Sequence, residues 1–278
     1  ADMARIVRLA DQCSRSSASV LIRGESGSGK ELLARFIHER SPRHDKPFVV
    51  ANIAAFPDSR AESELFGTDH DGLVPKAEGG TLYIKEVGSL SASLQLELLE
   101  FLNRDRGGDD ASSTSIPNIR VLFSSSVDLA SLVEQGSLRK DLYYIINVID
   151  ISLPPLRERK EDIALLVEHF VRLANERNGR TVKGFSREAL DALMRHRFPG
   201  NVRELSMIVE RAVVLCSGDH VLQKDLPVLD LELEPVKSEI VCDTSYESRM
   251  GVFEREILSE ALRLSPGNKS AAARVLGI

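Results

Sequence analysis

Cysteine is scarce: three in 278 residues, at Cys13, Cys216 and Cys242. They are scattered and odd in number, which excludes a disulfide scaffold and fits a reducing, cytoplasmic setting. Neither they nor His38, His44, His70, His169, His196 and His220 show metal-ligand spacing, so no metal site is expected from them. No apolar run approaches the roughly 18 residues a membrane span needs. No basic segment leads into an apolar one as in a signal peptide. Nor is there an internal repeat. Excess positive charge is also lacking. The formal net charge of −6 argues against a surface coated for non-specific nucleic-acid binding, though not against a small local DNA-reading module.

What is present is an ordinary globular composition, 42% hydrophobic and 28% charged, long enough for about two domains. Apolar runs at Ser19–Ile22, Pro47–Ala51, Thr81–Ile84, Ile119–Phe123 and Val148–Ile151 read as buried strands. Helical patterns at Met3–Ala10, Glu31–Arg40 and Gln95–Asn103 alternate with them. That alternation predicts an α/β domain over residues 1–155, a parallel sheet covered on both sides. After Pro154-Pro155 only helices are expected, at Glu161–Asn178, Ser186–Arg197 and Asn201–Cys216, giving a small all-helical unit over 156–227. Residues 228–247 carry six acids against one lysine and read as a linker. A last helical unit occupies 248–278. The chain opens mid-pattern without an initiator methionine and reads as an excised piece.

Gly24-Glu25-Ser26-Gly27-Ser28-Gly29-Lys30 fits G-x-x-x-x-G-K between an expected strand and an expected helix. Such a loop lets backbone N–H groups close around phosphate oxygens, the helix N-terminus favours anions, and the lysine pairs with the outer phosphates. The bland alternative is a glycine-rich turn with a chance lysine. Glu31 follows, where Ser or Thr ordinarily contacts Mg²⁺.

Several segments occur in order: GESGSGKE, Ser63-Glu64-Leu65-Phe66-Gly67, Gly79-Gly80-Thr81-Leu82, Asp141-Leu142-Tyr143-Tyr144, Leu153-Pro154-Pro155-Leu156-Arg157-Glu158-Arg159 and Phe198-Pro199-Gly200-Asn201-Val202-Arg203-Glu204-Leu205. Together they resemble the AAA+ domain of sigma-54-dependent enhancer-binding transcription regulators, the NtrC-like family, over nearly the whole chain. The resemblance implies an AAA+ P-loop fold with a helical lid and an ATP or ADP site formed by Gly24–Glu31 and Arg203, the sensor II arginine. It also implies a receiver or other sensory domain upstream, self-association as a dimer or higher oligomer, and RNA polymerase as a partner. Residues 248–278 resemble the start of a Fis-type helix-turn-helix, which implies DNA as a partner of the full protein. The chain stops at Gly277-Ile278, where the turn ends, so the recognition helix is expected to be missing from this piece.

Departures from that family pattern carry as much as the matches. Lys85 stands where the Walker B motif has an Asp that helps hold Mg²⁺, and lysine has no acceptor for a metal shell. Glu86, at the water-polarising position, is retained. The GAFTGA loop that contacts sigma-54 is absent: residues 68–78 are all that separate Gly67 from Gly79, about ten fewer than in the family. Ser126 replaces the sensor I Asn. Of two arginines that act across the subunit boundary, Arg139 matches the first, whereas Ile145 holds the second position. Asn52 matches an Asn that holds the catalytic Glu inactive elsewhere in the family.

The pattern implies a regulator that binds ATP or ADP, hydrolyses it poorly or not at all, and does not remodel sigma-54 polymerase. Whether Mg²⁺ accompanies the nucleotide stays open. So do two rivals: an active sigma-54 activator with compensating residues, and a regulator switched by a cyclic dinucleotide. Lys85 also reads as a solvated residue at a strand end, and Arg157 and Arg159 as surface charges or as nucleotide or interface contacts.

Overall fold

The computed structural model describes residues 2–56, 60–67, 72–104 and 118–226. The chain divides into two units, Ala1–Glu232 and Leu233–Ile278, and every described residue lies in the first. The expected linker at 228–247 and the expected partial helix-turn-helix at 248–278 lie outside the described residues.

The order of elements is α1 (Asp2–Ser14), β1 (Val20–Arg23), α2 (Lys30–Glu39), β2 (Phe48–Asn52), α3 (Ala61–Phe66), α4 (Leu73–Lys76), β3 (Thr81–Lys85), α5 (Ala92–Arg104), β4 (Arg120–Ser125), α6 (Leu129–Glu134), α7 (Lys140–Ile146) and β5 (Ile149–Ser152). There follow α8 (Glu161–Asn178), β6 (Gly184–Phe185), α9 (Arg187–Arg195), α10 (Asn201–Leu215) and β7 (His220–Val221). The first five strands form one parallel sheet in the order β2-β3-β4-β1-β5.

Each central strand is apolar on both faces because both faces are covered. Leu21, Leu82, Ile84, Val121 and Phe123 point into a core with helices α3 to α7. The alternate residues Val20, Ile22, Tyr83, Leu122 and Ile151 pack with α1 and α2 on the other side. A side-chain period of two therefore produces two cores from one run of apolar residues. The short helices α3, α4, α6 and α7 have no clear counterpart in the sequence pattern. Each is shorter than the window over which a 3.6-residue period can be counted.

From Leu156 onward a separate core forms, with Ile163, Val167, Phe198, Leu205 and Val209 among its members. This lid is helical, with one small addition that the apolar pattern did not announce. Gly184-Phe185 and His220-Val221 pair as parallel two-residue strands. They tie the segment before α9 to the segment after α10.

One buried charge locks α1 to the sheet. Arg120, at the start of β4, is 2% exposed and donates to Ser14 O at 2.8 Å and Cys13 O at 2.7 Å. The last carbonyls of a helix lack intrahelical donors, and here a guanidinium supplies them. Burial lowers the Arg120 pKa to about 10, so it stays charged at neutral pH. Arg120→Met should leave those carbonyls without donors and cost about 2 kcal/mol of stability, read as a lower urea midpoint.

Candidate functional site

β1, β3 and β4 all end at the same edge of the sheet, where ligands of open α/β sheets gather. Gly24 follows β1, Glu86 follows β3 and Ser126 follows β4. The glycine loop passes from β1 into α2, and Gly29 caps that helix at φ +106°, a left-handed conformation that glycine takes freely. Ser26, Gly27, Gly29, Lys30, Glu31, Lys85, Glu86 and Arg203 all line one cavity of about 330 Å³. The sheet, the glycine loop and the lid thus bring together the P-loop, the end of β3 and the arginine predicted as sensor II.

The lid wall of this cavity is held by the turn before α10. Asn201 is fully buried. Its side-chain amide donates to Ser26 O and to Glu25 Oε2, both at 3.0 Å, and its Oδ1 accepts from Leu156 N at 2.8 Å. Val202 N donates to Gly27 O at 3.0 Å. Gly27 has φ +76°, and a Cβ there would come within 2.2 Å of Gly200 O. Glycine is therefore required both by the backbone angle and by the approach of the lid. Arg157 clamps Glu25 through two bonds of 2.8 and 2.6 Å, and Arg159 donates to Ser28 O at 2.7 Å. These two arginines fasten the P-loop to the junction between sheet and lid. Arg157 first, then Asn201, hold the Glu25 carboxyl down to about 2.

At the base of the cavity every carboxylate is paired. Lys30 Nζ donates to Gly24 O at 2.6 Å and Glu25 O at 3.2 Å and lies 3.4 Å from Glu86 Oε1. The other Glu86 oxygen accepts from Ser126 N at 2.9 Å and Ser126 Oγ at 2.6 Å. Burial pushes the Glu86 carboxyl up, but Ser126 and Lys30 outweigh it and hold the group below the ordinary carboxylate range. Glu86 also has φ +55°, a strained backbone for a residue with a side chain. Lys85 Nζ donates to Glu31 Oε2 at 3.0 Å, and Glu31 Oε1 accepts from Arg35 at 3.0 Å. Lys85 and Arg35 keep the Glu31 carboxyl low. Burial pulls the Lys30 ammonium below its usual value, with Glu86 opposing.

Other predicted site residues sit elsewhere or differently. Asn52 ends β2 opposite Lys85, but among the described residues the partners of Glu86 are Ser126 and Lys30, not Asn52. The contact to Glu86 that the resemblance implies for Asn52 is made here by Ser126, at the sensor I position. Arg139 is outside the cavity and forms a bidentate pair with Asp141 at 3.1 and 2.7 Å. Ile145 packs against the sheet core. The backbones of Gly67 and Gly72 lie against each other, since a Cβ on Gly72 would fall 2.6 Å from Gly67 N and O. Residues 68–71 between them are outside the described residues.

The family described as "Sigma-54 interaction domain" matches residues 1–152. The chain belongs to that family. An "AAA+ ATPase lid domain" matches this sigma-54 interaction domain chain at residues 157–239, and "Bacterial regulatory protein, Fis family" at 250–278. It is 42% identical over 275 residues to the transcriptional regulatory protein ZraR of Salmonella typhimurium, covering 95% of this chain and 61% of that one. It is 39% identical to the regulatory protein AtoC of Escherichia coli K12, covering 95% and 60%. The chain thus spans less than two thirds of these relatives. Crystal structures of NtrX from Brucella abortus, one in complex with ADP and one with ATP, superpose with TM-scores of 0.76 and 0.75. Both are 30% identical and cover 99% of this chain and 64% of that one.

A sigma-54 interaction domain of AAA+ fold implies Mg²⁺ beside the nucleotide, and the donor set of this cavity does not fit it. Mg²⁺ takes carboxylate and other oxygen ligands in a near-ideal octahedron. Both carboxylates that line the cavity are bonded to lysine ammonium groups, and Lys85 brings a like charge to the place. Among the described residues no cluster of three or more His, Cys, Asp or Glu side chains is arranged to hold a metal. Among those residues too, no helix is long and apolar enough to cross a membrane.

Gly27→Ala should force the lid off the P-loop, lowering stability by about 1–3 kcal/mol in urea unfolding. Glu25 supplies an acid-side signature. Its pKa falls from 4.5 unfolded to about 2 folded, so its stabilisation is full above about pH 4.5 and fades as pH drops towards 2. Thermal unfolding of Glu25→Gln should therefore show a deficit at pH 7 that shrinks towards pH 3.

Proposed function

We propose that this chain is the nucleotide-binding core of a DNA-acting transcription regulator whose AAA+ domain holds ATP or ADP and turns it over poorly or not at all. The observation that carries the reading is one cavity in which the P-loop and Arg203 are assembled while Glu86 and Glu31 are each bonded to a lysine. A P-loop, a helix N-terminus and a lid arginine suit a polyphosphate. A water-polarising carboxylate held by Lys30 and Ser126, beside Lys85, does not suit hydrolysis. The NtrX structures with ADP and ATP support nucleotide as the ligand. The Fis-family match supports DNA as a partner of the full protein.

Gly24–Glu31 and Arg203 are the binding residues in this reading, Lys85 is a degenerate Walker B position, and Ser126 holds Glu86. Self-association is expected through the C-terminal region rather than as a closed ring. Arg139 is engaged with Asp141, and Ile145 packs against the core where a second boundary arginine would stand. The domain is not expected to remodel sigma-54 polymerase, because only residues 68–78 separate Gly67 from Gly79.

A second reading, a working sigma-54 activator, is favoured by the sigma-54 interaction domain match over residues 1–152, with RNA polymerase as its partner. ATP turnover separates the two. On the first reading, turnover by the purified chain equals that of a Lys30→Ala control, and Lys85→Asp raises it. Robust turnover that depends on Lys30 overturns that reading in favour of the second. Calorimetric titration with ATP, ADP and cyclic di-GMP identifies the ligand. Lys30→Ala should weaken ATP or ADP binding at least about tenfold, because Lys30 ties down the Gly24 and Glu25 carbonyls of the phosphate-binding loop and carries one of the positive charges of the cavity.

A further inference from the structure

We infer that this cavity takes its nucleotide without a divalent cation, the Lys85 ammonium occupying the electrostatic role that Mg²⁺ has in other P-loop proteins; the inference rests on the nucleotide reading above. A bound di- or triphosphate needs positive charge along its outer oxygens. The cavity supplies three cations, Lys30, Lys85 and Arg203, against two carboxylates, Glu31 and Glu86. Each carboxylate is already matched, Glu86 with Lys30 and Glu31 with Lys85 and Arg35.

Availability of donors points to Lys85 and Arg203. Lys30 spends its protons on Gly24 O and Glu25 O while facing Glu86. Lys85 has three N–H donors and uses one on Glu31, so two remain to meet phosphate oxygens. Its side chain is 25% exposed, at the cavity wall rather than sealed behind it. The Arg203 guanidinium has no hydrogen-bond or ion-pair partner among the described residues, its backbone carbonyl alone accepting from Ser206 Oγ, and it lines the opposite, lid side of the same cavity. Phosphate between them would meet fixed cations from the sheet and from the lid. A divalent ion at that place would have to displace lysine from Glu31 or Glu86 and then sit beside a displaced ammonium. The charge arrangement therefore favours the free polyphosphate over its magnesium complex.

The test is isothermal titration of the full chain with ATP and with ADP, once in EDTA and once in excess Mg²⁺, with thermal unfolding to verify that each variant is folded. Wild-type affinity in EDTA should equal or exceed that in Mg²⁺. Lys85→Ala should weaken binding in EDTA by about 10- to 100-fold, the loss expected for a charged hydrogen bond to phosphate. Lys85→Asp should bind only when Mg²⁺ is present. Wild-type binding that requires Mg²⁺ overturns the inference and leaves the nucleotide reading standing. So does unchanged affinity of Lys85→Ala in EDTA. Absence of binding in both conditions overturns the nucleotide reading and this inference with it. If Lys85→Asp fails to fold, the wild-type and Lys85→Ala titrations still decide.

Discussion

The cavity exists because one buried amide holds the lid against the glycine loop. Asn201 uses its whole side chain at this contact, donating to Glu25 and Ser26 and accepting from Leu156. A buried amide with a missing partner costs on the order of 1–3 kcal/mol, so the arrangement is held as a set or not at all. Around it the backbone takes angles that most residues avoid: Phe198, Asn201 and Gly27 all have positive φ. Asparagine and glycine carry such angles at low cost, and the fully buried Phe198 ring anchors the turn in the lid core. Arg203 reaches the cavity only because this turn sets the start of α10 over the P-loop.

The second organising element is a chain of paired charges along the sheet edge. Reading from the lid inwards, Arg157 meets Glu25, Lys30 meets Glu86, and Lys85 meets Glu31, which meets Arg35. The pairs differ in worth. Arg157 and Glu25 are each more than a third exposed, so solvent screens much of their attraction. Lys30 is 8% exposed and Glu86 23%, which makes their coupling stronger and their desolvation costlier. The strained φ of Glu86 places its carboxylate between Ser126 and Lys30, and strain of this kind persists only where surrounding contacts over-determine it. The two carboxylates are thus neutralised in place, while Lys30, Lys85 and Arg203 leave the cavity with more cations than carboxylates. That combination suits recognition of an anion better than activation of a water.

Much was legible from residues alone. Long helices such as α8 and strands such as β3 show their period within a few turns or pairs, and the glycine loop declares itself through its spacing and its place between strand and helix. The family segments likewise carried the AAA+ fold and the sigma-54 interaction domain assignment. Lys85, at odds with that family pattern, was visible as a departure without any coordinates.

Tertiary structure alone decided what those residues touch. Glu86 and Ser126 are 40 residues apart, and Lys85 and Glu31 are 54 apart; no local period relates them. They meet because β3 and β4 end at the edge of the sheet where α2 begins, a consequence of sheet order rather than of spacing. The same holds for Asn201 and Glu25, 176 positions apart, whose contact makes one wall of the cavity. Asn52 is the converse case. Its position at a strand end beside Lys85 could be anticipated by resemblance, yet the bond to Glu86 is made by Ser126, whose hydroxyl and amide both reach one carboxylate oxygen. The sequence determined which charges this site contains. The fold determined which of them neutralise each other and which remain for a ligand.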